Sequence, residues 1–133
     1  MPAHEMTYRV PYADTDQMSV VYYANYLEYF ERSRTEMLRD AGLPYGELEN
    51  QGYFLPVAEA TCKYRASATY DNLLTFRSYF VEARGVRLTI ATEVWNEDKL
   101  LVEGHVVLAC VGANKRLVRV PGFLVDACKS YNK

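Results

Sequence analysis

The chain has 133 residues, of which 50% are hydrophobic and 24% charged, so its composition is that of one folded domain and excludes intrinsic disorder. A formal charge of −2 argues against general nucleic-acid binding, which needs a basic face. No apolar run is long enough to cross a membrane and the N-terminus has no signal core, so we expect a cytoplasmic protein without a transmembrane segment.

The first third of the chain predicts a strand followed by a long helix. Residues 7–13 have the character of an edge strand, and the polar stretch 14–19 predicts a loop. From about residue 22 to 41 apolar side chains recur at helical spacing, and Gly42 and Pro44 predict the end of the helix. The predicted apolar face contains Tyr23, Tyr26, Leu27, Phe30, Arg34, Met37, Leu38 and Ala41.

After residue 52 the hydrophobic pattern changes to the two-residue period of β-strands. The nearly continuous apolar run 100–111 predicts an interior strand that is covered on both faces. One long helix against four or five antiparallel strands indicates an α+β fold, and the uncovered sheet face and edge favour a homo-oligomer. The predicted elements are a short helical turn at 44–50, strands at 53–65, 73–83, 86–95, 100–111 and 117–120, and a C-terminal helix at 121–129.

Several kinds of catalytic site are disfavoured by the sequence. There is no GxSxG elbow and no phosphate-binding glycine loop. His4 lies in an N-terminus expected to be flexible, and His105 lies within a predicted strand, where a satisfied core histidine is the favoured interpretation. The three cysteines have no metal or redox spacing, so we expect buried free thiols and no metal site.

Two aspartates precede the long helix. For Asp14, helix capping or hydrogen bonding within the loop is favoured over chemistry. Asp16 is followed by QMSVV, which contains no group to neutralise it, and a carboxylate among apolar and aromatic groups has a reason to shift its proton affinity. Together with a helix N-terminus that accepts a developing oxyanion, such a carboxylate suffices for acyl transfer to water, although capping is a competing interpretation for Asp16.

Two segments carry a family resemblance, YADTDQMSVVYYANYLEYFERSRTEMLRDAG at 12–42 and LPVAEATCKYRASATYDNLL at 55–74. They resemble the hot-dog-fold acyl-CoA thioesterases, in the branch of 4-hydroxybenzoyl-CoA thioesterase and the YbgC-type enzymes. The resemblance covers essentially the whole chain. It implies a single hot-dog thioesterase domain over 1–133, with a curved antiparallel sheet wrapped around one long helix, and a homodimer or dimer-of-dimers tetramer with active sites between subunits.

The resemblance also assigns site residues. It implies that Asp16 is the catalytic carboxylate, as nucleophile or general base, and that the Tyr23 backbone N–H binds the thioester oxygen. Tyr12 and Asn25 match family positions near the site, with a packing tyrosine and a helix hydrogen bond as equal alternatives. The chain departs from the family in having Tyr23 where many YbgC-type members have histidine and Ser19 where they usually have glycine, which bears on the loop conformation.

Coenzyme A carries three phosphate groups and therefore needs cations at the protein surface. The tyrosine-rich helix start favours short or aromatic acyl groups. The implied reaction needs neither a cofactor nor a metal, since coenzyme A counts as part of the substrate. The residues expected to contact coenzyme A are Lys63, Arg65, Arg84 and Arg87, together with Gly85 at a turn where backbone approaches the pantetheine.

The leading hypothesis is hydrolysis of a short-chain or aromatic acyl-CoA to free acid and coenzyme A. Two alternatives remain open. One is the same chemistry on an acyl-carrier-protein thioester, and another is a non-catalytic hot-dog protein that binds an acyl ligand. A dehydratase or hydratase would need a histidine beside a carboxylate, and neither His4 nor His105 is placed for that role.

Overall fold

The computed structural model describes residues 2–133, which are built around a five-stranded antiparallel sheet. The order across the sheet is β1-β3-β4-β5-β2, so the first and second strands form its two edges. The strands are β1 (His4–Arg9), β2 (Val57–Tyr64), β3 (Leu73–Arg84), β4 (Arg87–Asn96) and β5 (Lys99–Ala109).

Three helices complete the chain: α1 (Asn25–Asp40), α2 (Tyr45–Asn50) and α3 (Gly122–Lys129). One side of α1 packs against the sheet and buries aromatic and aliphatic side chains, as its helical spacing predicts. This α+β architecture confirms the predicted fold class. The buried side of α1 consists of Tyr26, Tyr29, Phe30, Ser33, Arg34, Met37 and Leu38.

The predicted helical face is wrong at its N-terminal end. Tyr23 precedes α1 and is 61% exposed, and Leu27 is 43% exposed. Tyr29 and Ser33 are fully buried in their place. The helix begins three residues later than its apolar pattern suggested, because the preceding segment pairs with other loops: Val21 N–H donates to the Ala68 carbonyl.

Three predicted strands have different limits in the structure. The first strand ends at Arg9, and residues 12–14 form a 3₁₀ turn in which Thr15 N–H donates to the Tyr12 carbonyl. The strand predicted from residue 53 begins at Val57. Residues 117–120 form no strand, since Leu117 makes only an isolated bridge. Strand limits depend on where a neighbouring strand supplies hydrogen bonds, which hydrophobic alternation does not reveal.

Both histidines differ from their predictions. His4 is in β1, only 7% exposed, with its Nε2 2.7 Å from Asp40 Oδ2 at the end of α1. The expected flexible position is therefore wrong, because the β1 ladder and the end of α1 hold this residue. His105 lies half-exposed on the outer sheet face, with Nδ1 3.0 Å from Thr61 Oγ1, so it is not a core histidine and β5 is not covered on both faces within one chain.

Small residues bring α1 close to the sheet. Ser33 Oγ lies 2.6 Å from Ser78 Oγ, which in turn lies 2.8 Å from Thr92 Oγ1. At Gly104 on β5, an added Cβ would collide with the Thr61 carbonyl oxygen and lie 2.8 Å from the Phe30 ring. This close approach places the start of α1 beside the end of β2.

No helix within residues 2–133 is long and apolar enough to span a bilayer.

Candidate active site

The loop before α1 holds the Asp16 carboxylate in a defined position. Its backbone closes a tight turn, because Asp16 N–H donates to the Val20 carbonyl at 2.9 Å and Ser19 N–H donates to the Asp16 carbonyl at 3.0 Å. The Asp16 Oδ1 accepts the Met18 N–H at 2.8 Å. Within residues 2–133, Oδ2 accepts no hydrogen bond. One carboxylate oxygen is thus anchored and the other is available for chemistry.

The same turn requires a left-handed residue. Ser19 has a φ of 64°, a conformation that glycine adopts without cost and that other residues adopt at some cost. Ser19 therefore has the backbone conformation that suits the glycine expected at this position from the family resemblance. The strain is stored directly beside the Asp16 carboxylate.

We expect Ser19→Gly to raise the free energy of unfolding by about 0.5–1 kcal/mol, because it removes the steric cost of the left-handed backbone. The measurement is urea or thermal unfolding of the two proteins side by side. Ser130→Gly is the matched control, since Ser130 has a φ of −63° and the same change there should lower stability. Equal or opposite responses at the two serines would contradict the assignment of strain to Ser19.

Asp14 anchors the loop to the core. Its Oδ2 accepts hydrogen bonds from the Tyr8 hydroxyl at 2.8 Å and the Tyr29 hydroxyl at 2.7 Å. Burial and the Asp14 carboxylate raise the pKa of Tyr8 to about 12 and also raise that of Tyr29, so both phenols remain donors at neutral pH. The helix capping or hydrogen bonding within the loop that the sequence favoured for Asp14 is wrong in its partners, because the carboxylate accepts from Tyr8 on β1 and Tyr29 on α1 and caps no helix.

A cleft of about 310 Å³ opens beside Asp16. Its walls come from the loop before α1, the first turn of α1 and the distant end of β2. The loop before α1 contributes Asp16 and Tyr23, the first turn of α1 contributes Tyr26, and the end of β2 contributes Tyr64 and the following Arg65. A carboxylate therefore shares a partly apolar pocket with phenols and one guanidinium.

Tyr23, a residue of the cleft wall, has a backbone N–H that is unused as a donor within residues 2–133. Because α1 begins at Asn25, the Tyr23 and Ala24 N–H groups precede the helical ladder, and neither donates to another group in the described part of the chain. The Tyr23 carbonyl is held by the Tyr64 hydroxyl at 3.1 Å. The pKa of Tyr64 is raised to about 12, first by burial and then by Cys62, so this hydroxyl stays a donor.

Tyr64 is a site residue that sequence reasoning missed. The sequence offered one indication of Tyr64. Side chains two residues apart on a strand share a face, so Tyr64 lies on the same face of β2 as Cys62, and it directly precedes Arg65. The other two predicted site residues lie outside the cleft wall. Tyr12 is exposed and its ring meets Tyr70 edge-on at 5.8 Å, while Asn25 Nδ2 donates to the Asp14 carbonyl at 3.2 Å and so steadies the loop.

The predicted coenzyme A residues fall at two ends of the sheet. Arg65 borders the Asp16 cleft and pairs with Glu103 at 3.0 Å, and Lys63 lies on the adjoining outer face. Arg87 is next to the start of β2, where it lies 3.7 Å from Glu59. The eight residues of β2 separate the two ends by about 25 Å. Arg84 and Gly85 belong to the same distant end, in the turn between β3 and β4, where Gly85 has a φ of 62°.

The three cysteines are free thiols in this structure. Cys110 and Cys128 are buried and Cys62 is half-buried, and burial raises the pKa of all three thiols. Across residues 2–133, no group of three or more histidine, cysteine or acidic side chains is arranged to hold a metal ion. Of the described groups near the cleft, Asp16 is the one with an unoccupied carboxylate oxygen.

Comparison with known proteins places this geometry in a family. The family model described as the thioesterase-like superfamily matches residues 10–128. The acyl-CoA thioester hydrolase YbgC of Escherichia coli O6:H1 is 36% identical over 104 residues, which are 77% of this chain and 78% of that protein.

Solved structures agree with this relationship. A hypothetical protein from Thermus thermophilus superposes with a TM-score of 0.89 at 33% identity, covering 96% of this chain and 98% of that one. A crystal structure described as a probable thioesterase from Bartonella henselae gives a TM-score of 0.84 at 33% identity, covering 90% and 99%. The chain therefore belongs to the thioesterase-like superfamily and is a hot-dog-fold thioester hydrolase of the YbgC-like group.

Proposed function

We propose that this protein hydrolyses a short-chain or aromatic acyl-CoA to the free acid and coenzyme A, with Asp16 as the catalytic carboxylate. The observation that carries the proposal is the state of that carboxylate. Oδ1 is fixed by the Met18 N–H, whereas Oδ2 accepts no hydrogen bond from the described residues, and the side chain borders a cleft of about 310 Å³. Held in this way, the side chain loses little further freedom on reaching the reactive geometry.

The Tyr23 N–H is the proposed donor to the thioester carbonyl oxygen. It has no intramolecular acceptor among the described residues, and the other end of its peptide group is held, because the Tyr22 carbonyl accepts the Asn25 N–H at 2.9 Å. A donor fixed before the reaction stabilises negative charge as it develops on that oxygen, and so lowers the barrier. Asn25 contributes as a positioning residue through the Asp14 carbonyl.

Two routes give the same overall reaction of thioester and water to acid and thiol. In the first, Asp16 Oδ2 attacks the carbonyl carbon, the C–S bond breaks, and water then hydrolyses the mixed anhydride. In the second, Asp16 takes a proton from a water whose oxygen attacks the carbonyl carbon, and the departing sulfur gains a proton as the C–S bond breaks. Both place the charge that develops on the carbonyl oxygen at the Tyr23 N–H, and neither requires a metal or a cofactor.

We further propose that two copies pair through β2. This edge strand is exposed or half-exposed at every residue, and an uncovered edge is a ready template for another strand. A two-fold axis between antiparallel copies of β2 would bring the start of one strand to the end of the other. The Arg84, Gly85 and Arg87 end of one copy would then approach the Asp16 and Arg65 end of its partner.

This pairing accounts for the division of the expected coenzyme A residues between two ends of the sheet. It also brings a second, mainly apolar cleft of about 440 Å³, which includes Tyr45, Phe54 and Leu55, towards Asp16 of the other copy. An apolar cleft of this size suits a short or aromatic acyl group. The nucleotide phosphates would find arginines from both copies.

The test of the proposed function is release of free thiol from a panel of acyl-CoAs with short, long and aromatic acyl groups. We expect hydrolysis of short or aromatic members, with a preference over long chains. Preference for long chains would contradict the proposed acyl class. Lack of activity on every member, from a folded protein, would contradict the function and favour a carrier-protein thioester or a binding role.

A mixed dimer tests whether each site uses residues of both copies. Asp16→Asn and Arg87→Glu copies carrying different affinity tags would be co-expressed, and the mixed dimer purified through both tags. If Asp16 of one copy works with Arg87 of the other, the mixed dimer has one intact site and about half of the wild-type activity. Each parent alone should be impaired at both sites. A mixed dimer no more active than its parents would place Asp16 and Arg87 in the same copy's site.

A further inference from the structure

Tyr26 has a buried hydroxyl that the proposed chemistry does not yet use. The residue is 2% exposed and lies in the wall of the Asp16 cleft. Its ring packs edge-on against the rings of Tyr29 and Tyr64, with centroids 5.5 and 5.7 Å away. The Tyr26 hydroxyl is nevertheless without a hydrogen-bond partner within the part of the chain that the structure describes.

The unpaired atom is the phenolic proton. The Ala68 backbone N–H is close enough to the Tyr26 oxygen to lower the pKa of Tyr26, against the larger raising effect of burial. Because this N–H is itself a donor, it cannot accept the phenolic proton. The neighbouring Tyr29 hydroxyl donates a hydrogen bond to Asp14, and the Tyr64 hydroxyl donates one to the Tyr23 carbonyl. Three adjacent phenols therefore differ in one respect, since the hydroxyls of Tyr29 and Tyr64 have acceptors and that of Tyr26 has none in residues 2–133.

An unsatisfied buried donor lowers stability, whereas phenylalanine would pack the same ring without that cost. Burial also raises the pKa of Tyr26, so the group keeps its proton at neutral pH. A donor that the folded chain leaves unused, in the wall of a substrate cleft, is suited to an acceptor that arrives with the substrate.

We propose that the Tyr26 hydroxyl donates a hydrogen bond to an oxygen of the bound acyl thioester, which makes Tyr26 a further substrate-binding residue of this site. The inference rests on the proposed thioesterase function and adds to it. Two oxygens have the required chemistry. One is the thioester carbonyl, shared by every substrate, and the other is a hydroxyl or oxo substituent that only some acyl groups carry.

The test compares wild type with Tyr26→Phe on short and aromatic acyl-CoAs, each with and without an oxygen substituent on the acyl group. We expect kcat/KM to fall about tenfold, the effect of one hydrogen bond to substrate, while the melting temperature stays equal or rises. A loss on every substrate would identify the carbonyl oxygen as the acceptor. A loss confined to substituted acyl groups would identify the substituent and make Tyr26 a specificity residue.

Tyr131→Phe is the matched control, because Tyr131 is also a buried tyrosine, packs edge-on against His4 away from the Asp16 cleft, and should leave kcat/KM unchanged. Equal kcat/KM for Tyr26→Phe and wild type across the panel would overturn the proposal. A lower melting temperature would overturn it as well, since the hydroxyl would then have a partner within the fold. Failure of the thioesterase function is read separately, from an inactive wild type or a fully active Asp16→Asn variant.

Discussion

Asp16→Asn is expected to lower kcat for the preferred acyl-CoA at least about a hundredfold, the scale of one positioned proton-transfer group. The amide keeps an oxygen that can accept the Met18 N–H at the Oδ1 position, so the loop conformation should survive. It removes the free carboxylate oxygen, which is the attacking or proton-accepting atom in both proposed routes. Because the change acts on the reaction rather than on binding, KM should change little.

The measurement is thiol release under saturating substrate, together with the melting temperature of each protein. Asp98→Asn provides the matched control, because it makes the same chemical change at an exposed position in the turn between β4 and β5. The control should retain wild-type kcat. Near-wild-type kcat in Asp16→Asn, at an unchanged melting temperature, would refute the catalytic role of this carboxylate.

Gly104→Ala is expected to cost about 3 kcal/mol of folding stability, at the upper end of the usual range for overpacking. The new methyl group would collide with the Thr61 carbonyl oxygen and approach the Phe30 ring to 2.8 Å. Neither neighbour yields easily, because one is backbone of the paired strand and the other is a fully buried ring on α1. A chain of this size should lose about 10 °C in melting temperature.

Gly46→Ala separates this steric effect from the general consequence of replacing glycine. Gly46 lies in α2, and a Cβ added there meets nothing within 4 Å. Alanine at that position should raise stability by about 0.5–1 kcal/mol, since it restricts the unfolded chain. Similar melting temperatures for Gly104→Ala and wild type would show that α1 is not held at this distance from the sheet.

Much of the fold could be predicted because its elements leave local patterns. The spacing of Phe30, Met37 and Leu38 predicts α1, and the stop at Gly42 follows from its left-handed φ of 86°. The two-residue period after residue 52 predicts β2, β3 and β4, and a nearly continuous apolar run predicts β5. The first strand and the segment 117–120 were placed less well, because a short strand exists only where a partner supplies its hydrogen bonds.

The candidate site divides in the same way. Asp16 was singled out from its sequence neighbours and the family resemblance, and the structure places it in a cleft with Tyr23 and Arg65; its catalytic role remains a prediction. Tyr64 reaches this cleft from the end of β2, 41 residues after Tyr23 in the chain. No local pattern reports such a meeting, because it depends on how the sheet brings distant segments together.

The sequence by itself determined the α+β class, the long helix, the aspartate loop and the family, since each is written in residue types at short spacings. Only the tertiary structure decided which donors stay free. Among the described residues, the Tyr23 N–H and the Tyr26 hydroxyl lack partners because of where α1 begins and what packs around it. The separation of Arg87 from Arg65 by the length of β2 is likewise a product of strand pairing. Hydrogen bonds and distances between remote segments arise from the folded arrangement, and that arrangement makes Tyr26 a candidate for substrate binding.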